Sequence, residues 1–338
     1  VSLPTPIPGL APAPDALVDR FGRVHRYLRV SITDRCSLKC TYCVPEEGLP
    51  HLPRKELLTY QEITRVVSAL REVGIRRVRL TGGEPLIRRD VVVLVDALGR
   101  LGLDDLSMTT NALRLPELAA PLRAAGLRRV NVSCDAVDPA LFRAMTGGGD
   151  LARVLAGIEA ARQAGLLPIK VNMVVIAGQN EHEVVPLLEH FARWPDEIIV
   201  RFLEHMPFAT ERRDHVSSAA LRERLGQRYS LDPVGPGDGG PAVAWRVRET
   251  GQEIGFISPI TEHFCERCNR LRLDADGHLR TCLSRDDAPS LRDVLRAGAD
   301  DVQLGAVVRA MVWGKVAGHE ATADGGRAFE GVMTWIGG

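Results

Sequence analysis

Between residues 27 and 206, short β-branched runs and helix-like stretches alternate, and that rhythm constrains the fold more than any other feature. The runs are 27–33, 78–81, 106–109, 129–133, 169–176 and 198–203. The stretches between them are 61–73, 91–101, 115–125, 151–164 and 181–193; in the first, Ile63, Val66, Val67 and Leu70 make a helical stripe. Glycines at 74, 102, 126 and 165 stand just past helix ends, where a left-handed cap favours them. Strand, crossover helix and strand again means parallel pairing with right-handed connections. Six units, against the eight of a closed barrel, predict an α/β fold, an incomplete (β/α)6 TIM-like barrel.

Parallel α/β folds build their sites at the C-terminal ends of the strands. A cysteine loop follows the first run here, Thr81-Gly82-Gly83-Glu84-Pro85 the second, Thr109-Thr110-Asn111 the third and Ser133-Cys134-Asp135 the fourth. Lys170 and Asn172 lie on the fifth run, and Arg201, Glu204 and Met206 at the sixth. After Met206 the rhythm changes. Residues 218–229 read as one more helix, 235–241 as a turn-rich linker, and 243–247 with 253–257 as a hairpin. The expected organisation is a flexible leader over 1–22, a barrel over 23–235, and a smaller C-terminal α+β region over 236–338.

The loop after the first run holds Cys36, Cys40 and Cys43, three soft ligands within eight residues. A closed zinc site wants four ligands. Three cysteines can hold three corners of a [4Fe–4S] cube and leave the fourth iron open. Taken alone, the triplet leaves a zinc knuckle or buried structural cysteines open. A second trio, Cys265, Cys268 and Cys282, is split by the turn signal Asp274-Ala275-Asp276-Gly277, and a hairpin there would return Cys282 to the pair. A zinc ribbon completed by His263 or His278 is the alternative to a second open cluster that meets substrate. Arg270 and Arg272, two apart, share a strand face and suit a triphosphate; an exposed basic edge is the plainer reading. The seventh cysteine, Cys134, reads as a small buried hydrophobe. Asp34, Glu46 and Glu47 read as loop surface.

Lys plus Arg equals Asp plus Glu at 43 each, which argues against a general nucleic-acid or membrane-surface binder and leaves room for a local basic pocket. No apolar run approaches the ~18 residues of a membrane span. Clustered cysteines behind a proline-rich start that lacks the regions of a signal peptide point to a reducing cytoplasm and to metal.

The x3–x2 spacing of the first trio resembles the radical S-adenosylmethionine (SAM) enzymes. Two sets of residues narrow this. One is Leu28-Arg29-Val30-Ser31-Ile32-Thr33-Asp34-Arg35-Cys36 with Thr81-Gly82-Gly83-Glu84-Pro85-Leu86; the other is Phe264-Cys265-Glu266-Arg267-Cys268-Asn269-Arg270-Leu271-Arg272 with Cys282 and Gly337-Gly338. Together they closely resemble the GTP 3′,8-cyclase family of molybdenum-cofactor biosynthesis, from about residue 23 to the C-terminus. The resemblance implies two [4Fe–4S] clusters, one on Cys36, Cys40 and Cys43 with SAM, one on Cys265, Cys268 and Cys282 with GTP. It places Tyr42, Gly82, Gly83, Glu84, Ser133 and Met206 at SAM, and Arg29, Arg79, Thr109, Lys170, Arg270, Leu271 and Arg272 at GTP. It sends Gly337 and Gly338 into the active site, and makes Arg201 the candidate helper of the radical steps. It implies conversion of GTP to (8S)-3′,8-cyclo-7,8-dihydroguanosine 5′-triphosphate, an external electron donor, a downstream cyclic pyranopterin monophosphate synthase and a homodimer. Ala112 departs from the family's usual glycine. The rivals are another radical SAM enzyme with an auxiliary cluster and a non-catalytic metal-binding protein.

Overall fold

Six strands lie side by side in chain order, all parallel: β1 (Tyr27–Ser31), β2 (Arg77–Thr81), β3 (Asp105–Thr110), β4 (Arg129–Ser133), β5 (Ile169–Val175) and β6 (Ile198–Glu204). They belong to a computed structural model that describes residues 7, 9–11, 15–43, 51–206, 215–236, 240–284 and 288–319. The crossovers carry α1 (Tyr60–Glu72), α2 (Val91–Gly99), α3 (Leu115–Ala124), α4 (Pro139–Met145), α5 (Leu151–Gln163) and α6 (Val184–Phe191). The ends of three of these are written locally. Thr59 and Glu62 form a reciprocal capping box on α1, and Asp138 and Asp150 accept from the first turns of α4 and α5. The short helix α4 escaped the sequence reading because seven residues are too few to show a period.

The sheet does not close. Among the described residues it runs to eleven strands in the order β11-β10-β1-β2-β3-β4-β5-β6-β9-β8-β7. The added strands are β7 (Leu231–Pro236), β8 (Val243–Val247), β9 (Glu253–Ile257), β10 (Arg270–Leu273) and β11 (Leu279–Arg280). β9 pairs parallel with β6, and β10 parallel with β1, so the C-terminal strands extend the central sheet at both edges. The expected hairpin forms between β8 and β9, and the expected turn at Gly277 joins β10 to β11. One expectation needs correction: β7 occupies the first part of the turn-rich linker read at 235–241. Its Pro233 is tolerated because β7 is the outermost strand and bulges between Pro233 and Gly235. The remaining helices are α7 (Ser218–Gly226), against β6, and α8 (Leu291–Arg296) and α9 (Asp301–Trp313), both packed on α1.

Alternation sorts each strand into two rows. Leu28, Val30, Val78, Leu80, Leu106, Met108, Val130, Val132, Ile169 and Val171 turn to the helices and are buried. Each such side chain stabilises the fold by roughly 1.5–3 kcal/mol. The other row faces the concave interior and is mostly polar. The helix layer is packed tightly against the loops that end the strands. Ala112, just past β3, holds a left-handed φ of 65°, and a Cβ on Gly157 of α5 would lie 2.3 Å from its carbonyl oxygen. Gly157→Ala should therefore cost about 1–3 kcal/mol, read as a lower urea midpoint with an unchanged slope. An unchanged midpoint would show that the Ala112 loop yields freely.

Candidate active site

Both cysteine trios open into one cavity of about 310 Å³ at the strand ends. Its lining includes Cys36, Cys40, Cys43, Cys265, Cys268 and Cys282, together with Tyr42, Gly82, Gly83, Glu84, Ser133, Met206 and Arg201. Arg29, Arg79, Thr109, Lys170, Arg270 and Arg272 line it as well. Leu271 does not. It sits between two inward arginines, so the pleat turns its side chain to the helix layer, where it is wholly buried. Gly337 and Gly338 lie outside the described residues, as do Glu46 and Glu47.

The first trio is held by backbone pressed on backbone. Gly83 N–H donates to the Thr33 carbonyl at 2.7 Å, and Glu84 N–H to the Arg35 carbonyl at 2.8 Å. A Cβ on Gly83 would sit 2.2 Å from the Arg35 oxygen, and one on Gly82, at φ 151°, 2.5 Å from the Thr33 oxygen. The two glycines are thus required by the cysteine loop itself. Glu84 ties this loop to the end of β3. Its buried carboxylate accepts from Leu86 N–H at 2.9 Å, Thr110 Oγ1 at 2.7 Å and Asn111 N–H at 2.6 Å. Burial pushes Glu84 up to about 7 despite those three donors. Asn111 Nδ2 donates to Ser37 Oγ at 3.0 Å, and Tyr42 donates its hydroxyl to Asp135 at 2.7 Å. Burial also pushes up the three thiols, Cys43 to about 12, with Asp135, Glu84 and one another adding to it. Crowded buried thiols of this kind become stable thiolates only against a metal, and three of them fit three corners of a cube. Thr81 Oγ1, buried in the cavity with no partner among the described residues, leaves a polar atom there for the group an open iron would bind.

The opposite wall is cationic. Arg29 on β1 is flanked in register by Arg79 on β2 and Arg272 on β10. Unit charges roughly 5 Å apart repel by ~3 kcal/mol at an effective dielectric of 20. Burial, then repulsion from Arg272, lowers Arg29; burial, then repulsion from Arg270, lowers Arg272 to about 10. Arg29 Nε, Arg272 Nε and Thr109 Oγ1 are buried without partners among the described residues. A wall of cations with unspent donors is a receptor for a polyanion. Arg270 stacks on Phe264, 4.7 Å from the ring centre. Between the walls, the Asn131 carboxamide oxygen, placed toward the guanidiniums as they require, accepts from Arg79 at 2.7 Å and Arg201 at 2.6 Å. Arg201 also donates to Asn172 Oδ1 at 2.9 Å.

The turn at Gly277, φ 92°, folds β11 back and returns Cys282 to Cys265 and Cys268. Burial would raise the Cys268 thiol, but Lys315 and Arg270 beside it bring it down to about 5. Three cysteines with one held as thiolate again fit an open cluster. His278 pairs with Asp276 at 2.9 Å and does not line the cavity, whereas His263 lies 3.3 Å from His319, near Cys265. Cys134 is fully buried, as expected. Asp34 is not loop surface: it is buried, accepting from Leu52 N–H at 2.7 Å and pairing with His51. Asn131 was legible as a polar residue on the inward row of β4. Asp135 was noted only as part of a strand end; its tie to Tyr42, like the place of Lys315, is a long-range contact without a local signature.

A family profile described as the Radical SAM superfamily matches residues 30–191, and one described as Molybdenum Cofactor Synthesis C matches residues 198–321. The chain is similar to the GTP 3′,8-cyclase of Rhodopseudomonas palustris (strain TIE-1), 46% identical over 318 residues, 91% of each chain. It is 44% identical over 334 residues to the GTP 3′,8-cyclase of Rhodococcus opacus (strain B4), covering 97% of this chain and 94% of the other. In fold it resembles Streptococcus suis SuiB bound to precursor peptide SuiA, at TM-score 0.58 and 16% identity, over 84% of this chain and 66% of that one.

Gly83→Ala should move the loop carrying Cys36 while leaving the second trio intact. Anaerobic reconstitution should then give about four irons per chain where the wild-type chain takes about eight. Eight irons in the variant would show that the glycine is not needed there.

Proposed function

This chain belongs to the GTP 3′,8-cyclase family of radical SAM enzymes, and we infer that it converts GTP to (8S)-3′,8-cyclo-7,8-dihydroguanosine 5′-triphosphate, the first step of molybdenum-cofactor biosynthesis. The observation that carries this reading is that two cysteine trios open into one cavity beside Arg29 and Arg272, whose buried Nε donors have no partner among the described residues. Cys36, Cys40 and Cys43 would hold one [4Fe–4S] cluster, and Cys265, Cys268 and Cys282 the other. When bound, SAM and its cluster supply one-electron chemistry strong enough to take a hydrogen from a ribose carbon.

The chain's own residues bind, orient and shield. Gly82, Gly83, Glu84, Tyr42, Ser133 and Met206 would seat SAM beside the first trio. Arg29, Arg79, Arg270, Arg272, Lys170 and Thr109 would grip the triphosphate, whose charge offsets their mutual repulsion. The second trio would then meet the guanine end. Arg201, held by two amides, would fix the spacing between cofactor and nucleoside. Val174, Leu203, Met206, Ile257 and Pro259 give the cavity apolar lining that excludes water from a reactive site. In this division of labour residues 23–235 supply SAM cleavage and four of the six side chains that grip GTP, and 236–338 supply the second cluster with Arg270 and Arg272. An external electron donor reduces the clusters in the cytoplasm, a homodimer is the assembly, and a cyclic pyranopterin monophosphate synthase takes the product.

Anaerobic incubation with SAM, a reductant and GTP should yield 5′-deoxyadenosine and a nucleotide isomeric with GTP but lacking the purine chromophore, separable by chromatography. Deoxyadenosine with GTP unchanged would favour another radical SAM reaction. Arg272→Ala removes a buried charged donor and should raise the KM for GTP about 10- to 100-fold, with SAM affinity unchanged in direct binding.

A further inference from the structure

The two trios sit in opposite electrostatic surroundings. Buried carboxylates act on the first, Glu84 on Cys36 and Asp135 on Cys40 and Cys43. The second is backed by buried cations from distant parts of the chain. Lys315, two residues past the end of α9, is 2% exposed. Its Nζ donates to the Arg270 carbonyl at 2.9 Å and lies 3.6 Å from Cys268 Sγ. Among the described residues no carboxylate pairs with it.

Arg23 fixes where that lysine stands. Its guanidinium donates to the Cys265 carbonyl at 2.8 Å and to the Val316 and Ala317 carbonyls, each at 2.7 Å. Asp19 holds its Nε at 2.6 Å and also takes the His25 ring at 2.9 Å. The residues directly after Lys315 are therefore tied to the loop that carries Cys265. Two long cationic side chains are ordered and buried at the back of three thiols. Solvent-facing lysines are not held this way.

We propose that Lys315 is a positioning residue that sets the reduction potential of the second cluster, acting as a fixed positive charge and N–H donor on the Cys268 sulfur. The inference rests on the reading of Cys268 as a ligand of that cluster. Reduction adds an electron to the cube. A cation at a ligand sulfur favours the more negative state, and hydrogen bonds to the sulfurs act in the same direction. No proton transfer is required, and the electron comes from the external reductant that the reaction already uses.

The test is a potentiometric titration of the full reconstituted chain, followed by electron paramagnetic resonance, with the first cluster recognised by its response to added SAM. Lys315→Gln should lower the second cluster's potential, so that its reduced-to-oxidised ratio at a fixed poise falls about tenfold, ~59 mV for a one-electron couple. The first cluster should not move, and Lys315→Arg should recover most of the loss. A second-cluster potential equal to wild type in Lys315→Gln, or one as low in Lys315→Arg as in Lys315→Gln, overturns the proposal. Should Lys315→Gln fail to assemble the cluster, Arg23→Lys decides, since it keeps the charge but cannot hold three carbonyls. It should shift the potential down, and an unchanged potential counts against the role. About four irons in the wild-type chain would remove the second cluster itself, and with it this inference. Eight irons with an unmoved potential would remove the inference alone.

Discussion

The period of two along a parallel strand governs this molecule. Each strand spends one row of side chains on the helices and the other on the interior. Because the outward row is so fully apolar, from Leu28 and Val30 to Leu271 and Leu273, the inward row is released from any duty to the core. It can carry Arg29, Arg79, Asn131, Lys170, Asn172, Arg201 and Arg272 at once. The open sheet leaves these residues a concave space, which a closed eight-stranded barrel would fill with packed side chains. Register then places arginine beside arginine across β10, β1 and β2. That arrangement is costly in the free protein and becomes favourable with a polyanion between the strands.

The C-terminal strands matter for the same reason. β10 joins the edge of the sheet at β1, and this parallel pairing brings Cys265 and Cys268 to the cavity that Cys36, Cys40 and Cys43 already line. β9 does the corresponding work at β6, where Glu204 binds the chain after β9. It accepts from Ile260 N–H at 3.1 Å, from Thr261 N–H at 3.0 Å and from the Thr261 hydroxyl. Against its burial, His215, the Thr261 hydroxyl and the Ser218 and Thr261 N–H groups hold Glu204 down to about 2. One continuous sheet, rather than a hinge between two bodies, sets the relation between the trios.

Much of this was legible in the residues. The six parallel strands followed from their β-branched runs, and the site from what stood at their ends. The hairpin around Gly277 followed from its turn signal. The sequence was silent where meaning depends on distant partners. Asp34 looked like loop surface because nothing local says that Leu52 will bring it an N–H. Pro233 hid β7, since proline argues against a strand until that strand is known to be the edge. The resemblance set Gly82 and Gly83 at SAM, and the structure adds that the backbone of Thr33, Arg35 and Cys36 already occupies the space beside them. Lys315 and Arg23 carried no signature at all, because their cavity-side partners are 45 or more positions away.

The account stands on two open clusters that share one chamber but serve different small molecules. Its most direct test is the paramagnetic resonance spectrum of reduced protein in which only one trio remains. With Cys36, Cys40 and Cys43 replaced by alanine, the surviving signal should change on adding GTP and stay unchanged on adding SAM; with Cys265, Cys268 and Cys282 replaced, the responses should exchange. A signal that answers to the wrong molecule, or to neither, would contradict the assignment.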